Sequence, residues 1–243
     1  MKRLMMATIA ELAVCGVAMQ ANAYDYDNDY GRTSAGTTPL MISICNPVQL
    51  PSDDYDVAGL RLSLIYGLCN DFAGIDVGLL NVTDGKFSGI ALGGMNITRG
   101  RLYGLQVGLF NASLFDQTTP GSCSIGVQKG FVNLSGSFHG WQDGLLNASG
   151  GSFEGVQTSF FNEADKMYGA QFGIVNHANE LHGVQLGIIY GIFCGNIADS
   201  VTGCQIGLIN YATRVDKGVQ VGIINIIADN GWATILPVVN GHF

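Results

Sequence analysis

From residue 59 onward, apolar and polar positions alternate in short runs that break off at regular intervals and resemble one another. One octad recurs: glycine, apolar, Gln, apolar, glycine, apolar, apolar, Asn. Clear copies are Gly104-Leu-Gln-Val-Gly-Leu-Phe-Asn111, Gly183-Val-Gln-Leu-Gly-Ile-Ile-Tyr190 and Gly218-Val-Gln-Val-Gly-Ile-Ile-Asn225. Within the octad, positions two, four and six share one side, and the Gln and second glycine share the other. That period of two predicts a strand of about six to eight residues. A helix is disfavoured, because two glycines per unit would cost it about 1 kcal/mol apiece. The stretches between octads, such as Thr83-Asp84-Gly85-Lys86 and Ala178-Asn179-Glu180, have the composition of turns.

The opening glycines are Gly59, Gly74, Gly89, Gly104, Gly126, Gly140, Gly155, Gly169, Gly183, Gly203 and Gly218. Their spacing is 14 or 15 residues, except for longer intervals after units four and nine, so eleven units carry two insertions. Position three is Gln106, Gln128, Gln142, Gln157, Gln171, Gln185, Gln205 and Gln220, preceded by the exceptions Arg61, Asp76 and Ala91. Position eight is Asn81, Asn96, Asn111, Asn133, Asn147, Asn162, Asn176, Asn210 and Asn225, with Tyr66 and Tyr190 as departures. Position five is glycine except at Ser63 and Ser159. Two residues before the opening glycine stands another apolar group: Phe72, Phe87, Leu102, Phe138, Phe153, Met167, Leu181 or Val201.

Such a unit fits an all-β fold, a parallel β-solenoid (β-roll) of about eleven 14–15-residue rungs. Each rung lies in register on the last, and like residues stack about 4.8 Å apart. Amide side chains then hydrogen-bond to their own kind along fixed columns. On this reading the Gln and Asn residues above form structural ladders, aliphatic groups fill the axis, and a flat amide-and-glycine face is displayed. The alternative is an antiparallel outer-membrane β-barrel, in which a one-strand repeat would not bring like columns together. The fourth column supplies a check. It reads Lys129, Asp143, Thr158 in consecutive units, and stacking places Lys129 beside Asp143.

The ends differ from the body. Met1-Lys2-Arg3, an apolar stretch and Ala21-Asn22-Ala23 have the order of a secretory signal peptide over residues 1–23. A retained anchor would need about 20 apolar residues, and Glu11 interrupts the run. Cys15 is a weaker candidate for lipidation. Residues 24–42 read as a disordered acidic lead, and 43–243 as a single β-repeat domain with N- and C-terminal caps. Pro39–Leu50 is expected to cap the first rung and Trp232–Phe243 the last.

Charge narrows the partners. The chain has 11 basic and 19 acidic residues, a net charge of −8, which becomes −9 without residues 1–23. Phosphate backbones would repel it, so no nucleic acid partner is expected. Cysteines 45, 69, 123, 194 and 204 have neither disulfide-framework nor zinc spacing. A Cys194–Cys204 bridge and buried thiols are the two readings. His139, His177, His182 and His242 lack metal-like spacing and read as solvated turn residues. Asp25, Asp27 and Asp29 imitate a calcium loop, but the glycine falls one place late and the closing Glu is missing. No catalytic, cofactor-binding or metal residues are assigned. The sequons at Asn81, Asn96, Asn111, Asn133 and Asn147 are explained by the Asn column followed by a small turn residue.

The stretch from Cys45-Asn-Pro-Val-Gln-Leu-Pro to Leu64-Ile-Tyr-Gly67, then Phe138-His-Gly-Trp-Gln142, the Gly-x-Gln-x-Gly-x-x-Asn units and Ile235-Leu-Pro-Val-Val-Asn240 resembles a known family. It is similar to the bacterial surface-repeat proteins first described in leptospires, over residues 43–243. The ending Asn240-Gly-His-Phe243 is poorer in aromatics than that family's. The resemblance implies export to the cell surface or outer membrane of a Gram-negative-type bacterium, without an established activity. The expectation is a non-enzymatic surface protein acting in adhesion or envelope scaffolding. Its partner would be a protein, a glycan or itself, and membrane association is compatible with it.

Overall fold

A computed structural model describes residues 33–114, 123–187, 195–230 and 234–242. The described residues form sixteen strands and no helix. Gly31–Phe243 is one compact unit. Within it, each repeat lies parallel to and in register with the next, as a β-solenoid of about eleven turns. Gly140 pairs with Gly155, Gln142 with Gln157 and Asn147 with Asn162, and that pattern recurs from rung to rung. The antiparallel barrel is thereby excluded: neighbouring repeats run in the same sense, and the sheet ends in separate edge strands instead of closing on itself.

Each rung has two sides. In rung four these are Leu102–Val107 and Phe110–Ser113, with a corner at Gly108. Numbering columns from the opening glycine, columns 1, 3, 5, 8 and 10 face inward, as does the apolar column two residues before it. Column 1 explains why glycine never varies there. All eleven glycines have φ between 136° and 157°, and a Cβ would lie 1.9–2.2 Å from the carbonyl oxygen of the rung before. L-residues avoid that conformation, and the close approach removes the space as well. In column 5, a Cβ at Gly108 would meet Gly93 O at 2.6 Å and Asn96 Nδ2 at 2.8 Å.

The interior therefore departs from the expected aliphatic axis. It is filled by the Gln and Asn ladders, by the column of Phe, Leu, Met and Val two residues before the opening glycine, and by mostly small residues in column 10. Phe72 stacks on Phe87 with centroids 5.0 Å apart, and Phe138 on Phe153 at 5.7 Å. The aliphatic columns 2, 4 and 6 face outward, with Leu79 60% and Ile223 65% exposed. The amide-and-glycine face is thus internal: its glycines let successive backbones approach closely, and the Gln and Asn side chains share the lumen with the inward apolar column.

Register corrects two departures in the Asn column. Asn196 pairs with Asn176 and Asn210, so the second insertion falls inside the ninth octad, between Gly187 and Gly195, and not after it. Tyr66 pairs with Leu80, and the following Gly67 occupies the Asn column after a bulge. The first insertion leaves between Ser113 and Ser124, at the turn.

Both ends are capped. The strand Thr37–Cys45 lies parallel to Asp56–Cys69 and carries Val48–Leu50 as an antiparallel flap. Residues 37–42, assigned above to a disordered lead, thus belong to the solenoid. Ile235–His242 runs antiparallel along the last rung. Residues 1–23, read above as a signal peptide, and with them Cys15, the Asp25–Asp29 motif and Cys194, lie outside the described residues.

Candidate functional site

Two features stand out chemically: the internal amide ladders and the outward aliphatic face. The ladders are continuous. Asn81, Asn96, Asn111, Asn133, Asn147, Asn162, Asn176, Asn196 and Asn210 each donate Nδ2–H to Oδ1 of the next Asn along the chain, at 2.8–3.1 Å. Asn225 ends the series by donating to Leu236 O in the C-terminal cap. In the Gln ladder each Nε2 donates to Oε1 of the preceding Gln at 2.7–2.9 Å, from Gln220 back to Gln106. The two ladders thus run with opposite polarity. Most members also donate to a main-chain carbonyl, as Gln157 does to Glu163 O and Asn162 to Phe172 O. Buried amides are tolerated because almost every donor and acceptor is paired. The exceptions mark ladder ends: Asn81 Oδ1 and Gln220 Oε1 have no partner. Gln220 faces Asn240, whose Nδ2 is also unpartnered.

All seventeen ladder residues named from sequence are buried. The sequons receive a different explanation from the expected one. Thr83, Thr98, Ser113, Ser135 and Ser149 fill interior column 10, not a turn, and Asn81 to Asn147 are themselves buried.

Column 3 begins with an ion pair that sequence reading did not anticipate. Arg61 is wholly buried, its Nε 2.9 Å from Asp76 Oδ1 and its Nη2 on Asp76 Oδ2. It also donates to Val82 O at 2.8 Å and Cys69 Sγ at 3.0 Å, and lies 5.3 Å from the Phe72 ring centroid. Burial pushes the Cys69 thiol up to about 11, against the pull of Arg61. Burial also opposes the Arg61 charge, but Cys69 and Asp76 outweigh it and raise the pKa. At neutral pH Cys69 is a thiol, so Asp76 is the working counter-ion. The signal was available: opposite charges one rung apart in one column.

On the outer face, Lys129 Nζ and Asp143 Oδ2 are 2.7 Å apart, as stacking requires. Trp141 lies beside them, its Nε1 donating to Thr158 Oγ1 at 3.2 Å. The histidines occupy outward positions, mostly on strands instead of turns. His139 lies 3.2 Å from Glu154, His182 stacks on Tyr168, and His177 lies 3.9 Å from Glu163. His242 Nδ1 lies 3.2 Å from Asp216 O. Among the described residues no three His, Cys, Asp or Glu side chains converge on a metal-sized site. Cys45, Cys69, Cys123 and Cys204 are free thiols. A shallow depression near the first rungs, of about 270 Å³, is lined by Asp56, Asp71, Lys86 and Ser88. Asp71 there accepts from Lys86 N at 2.7 Å, so its carboxylate serves the turn.

Comparison with protein families, curated proteins and solved structures finds no match to this chain.

Proposed function

We propose that this is an exported, surface-exposed structural or interaction protein that works through its outer face in envelope scaffolding or adhesion, without catalytic activity. One observation carries the reading. The solenoid turns its amide ladders inward and presents aliphatic columns outward, interrupted in column 4 at Lys129, Asp143 and Thr158. Large contiguous apolar surface of this kind marks an interaction face. Such a face suits a protein surface or another copy of the chain better than a glycan, which needs displayed polar groups. The leader-like residues 1–23 and the resemblance to surface-repeat proteins support export.

The test combines location with binding. Amino-terminal sequencing of the protein from cell envelopes is expected to begin at Tyr24, and protease added to whole cells is expected to degrade it. Binding to envelope and matrix proteins is expected to fall when Leu79, Leu109 and Phe131 are changed together to Ser. A protein retained in the cytoplasm, or binding unaffected by the triple change, would contradict the proposal.

A further inference from the structure

In columns 2 and 4 of one flat side the charged residues stand at one place, while the column just before the opening glycine, on the same side, is mixed, from Ala58, Ala73 and Ser88 to His139, Glu154, His182 and Thr202. Lys129 belongs to rung five and Asp143 to rung six, near the middle of the rod, while rungs on either side present Ile75, Val77, Ile90, Leu92, Val184 and Leu186. We infer that this side is a self-complementary interface on which two copies pack face to face and antiparallel, related by a two-fold axis between rungs five and six.

Three observations choose a second copy as the occupant. The first is area. The ten paired rungs at about 4.8 Å and a side about 15 Å wide give roughly 720 Å² per copy, about 1,440 Å² in the pair, within the range of a standard stable interface. The second is charge. With the axis crossing the rod between rungs five and six, column 4 of one copy faces column 4 of the other, and rung five faces rung six. Lys129 of each copy then meets Asp143 of its mate, while in columns 2 and 4 rungs one to four meet rungs ten to seven with uncharged, mostly aliphatic side chains on both. A parallel arrangement would set Lys129 against Val127 and leave it unmatched. The third is what the face rejects. A charge pair at its centre and a net charge of −8 disfavour insertion into an anionic lipid surface. Trp141, 45% exposed beside the pair, supplies the aromatic anchor typical of interface centres.

The inference deepens the scaffold proposal and rests on it only in taking the apolar face as a working surface. Like charges brought together across the axis should weaken association about 100-fold, or about 2.7 kcal/mol. Sedimentation velocity on the full chain at micromolar concentration is expected to show a dimer. Lys129→Glu and Asp143→Lys are each expected to be monomeric, with unchanged circular dichroism. Mixed together, the two variants should form a heterodimer, because each substituted side chain then meets an opposite charge on its mate, and the unsubstituted Asp143 of one variant meets the unsubstituted Lys129 of the other. An intramolecular role for the pair gives no such rescue by mixing. A monomeric wild-type chain, a monomer that floats with phosphatidylethanolamine–phosphatidylglycerol vesicles, or variants that stay apart on mixing would each overturn the two-fold interface. Continued binding of the monomeric variants to envelope proteins would leave the scaffold proposal standing, so the two can fail separately.

Discussion

Changing Gln157 to Leu tests which side of the strand is the core. Gln157 sits mid-ladder and wholly buried, donating to Gln142 Oε1 at 2.8 Å and Glu163 O at 3.2 Å, and accepting from Gln171 at 2.8 Å. Leucine has similar bulk but makes none of these bonds. Gln142 Oε1 and Glu163 O would be stranded in a dry interior, and Gln171 would lose one of its acceptors. At about 1–2 kcal/mol for each group left unpaired, the loss is about 3–5 kcal/mol. Added apolar burial returns about 1–2 kcal/mol, leaving a net destabilisation of about 1–4 kcal/mol. The partner experiment is Leu109→Ser, at a side chain 59% exposed, where a change within about 0.5 kcal/mol is expected. Urea unfolding followed by far-ultraviolet circular dichroism reads both, with the midpoint falling for Gln157→Leu. If Gln157→Leu were neutral and Leu109→Ser cost several kcal/mol, the aliphatic side would be the core and this account of the fold would be wrong.

Four further outcomes are expected. Asp76→Ala leaves Arg61 charged and buried and should cost about 3–5 kcal/mol, whereas Arg61→Gln with Asp76→Gln should cost less by continuing the Gln column; thermal melts of the three proteins compare them. Asn240→Gln, one methylene longer, should reach Gln220 Oε1 and raise the melting temperature, and a lower one would show that the C-terminal cap cannot accept the added length. Gly104→Ala, at φ 142° and 2.0 Å from Gly89 O, should prevent stable folding, while Gly150→Ala, with no atom nearer than 4.0 Å, should not; soluble yield and circular dichroism distinguish them. Burial lifts Cys69 from about 9 to about 11, so the folded state holds its proton more tightly than the unfolded chain. The resulting stability is fully present below pH 9 and is lost progressively as pH rises to 11, by about 2–3 kcal/mol; Cys69→Ser should flatten that part of the urea-midpoint profile.

The repeat, its parallel register and the two amide columns were legible because in-register stacking imposes the same demand on every rung. The Lys129–Asp143 contact followed from the same logic, and Arg61–Asp76 would have followed had it been applied to column 3. The inside and outside were misassigned because hydropathy ranks Leu above Gln, and that ranking fails where stacking lets each amide satisfy the next. A better signal lay in parity. Phe72, Gly74, Asp76 and Gly78 share one side of the strand, and a column that accepts only glycine belongs where backbones approach closely, not on an open face. Asn196 was missed because an insertion separated it from its octad, so fixed spacing pointed to Tyr190. Only the pairing of Asn176 with Asn196 reveals the column. Where the outer face makes contacts was not legible, since an exposed aliphatic column and a core column have the same composition.

Spin labels in a single outward column measure the stacking itself. In a background with its native cysteines replaced, labelled pairs at Ser88 with Glu154 and at Ser88 with Thr202 lie four and seven rungs apart in one column. Pulsed electron–electron double resonance, on protein diluted with unlabelled chain, should give distances of about 19 Å and about 34 Å, growing by about 4.8 Å per rung. Distances that fail to grow with rung number, or that return toward shorter values for the farther pair, would contradict a solenoid of stacked in-register turns.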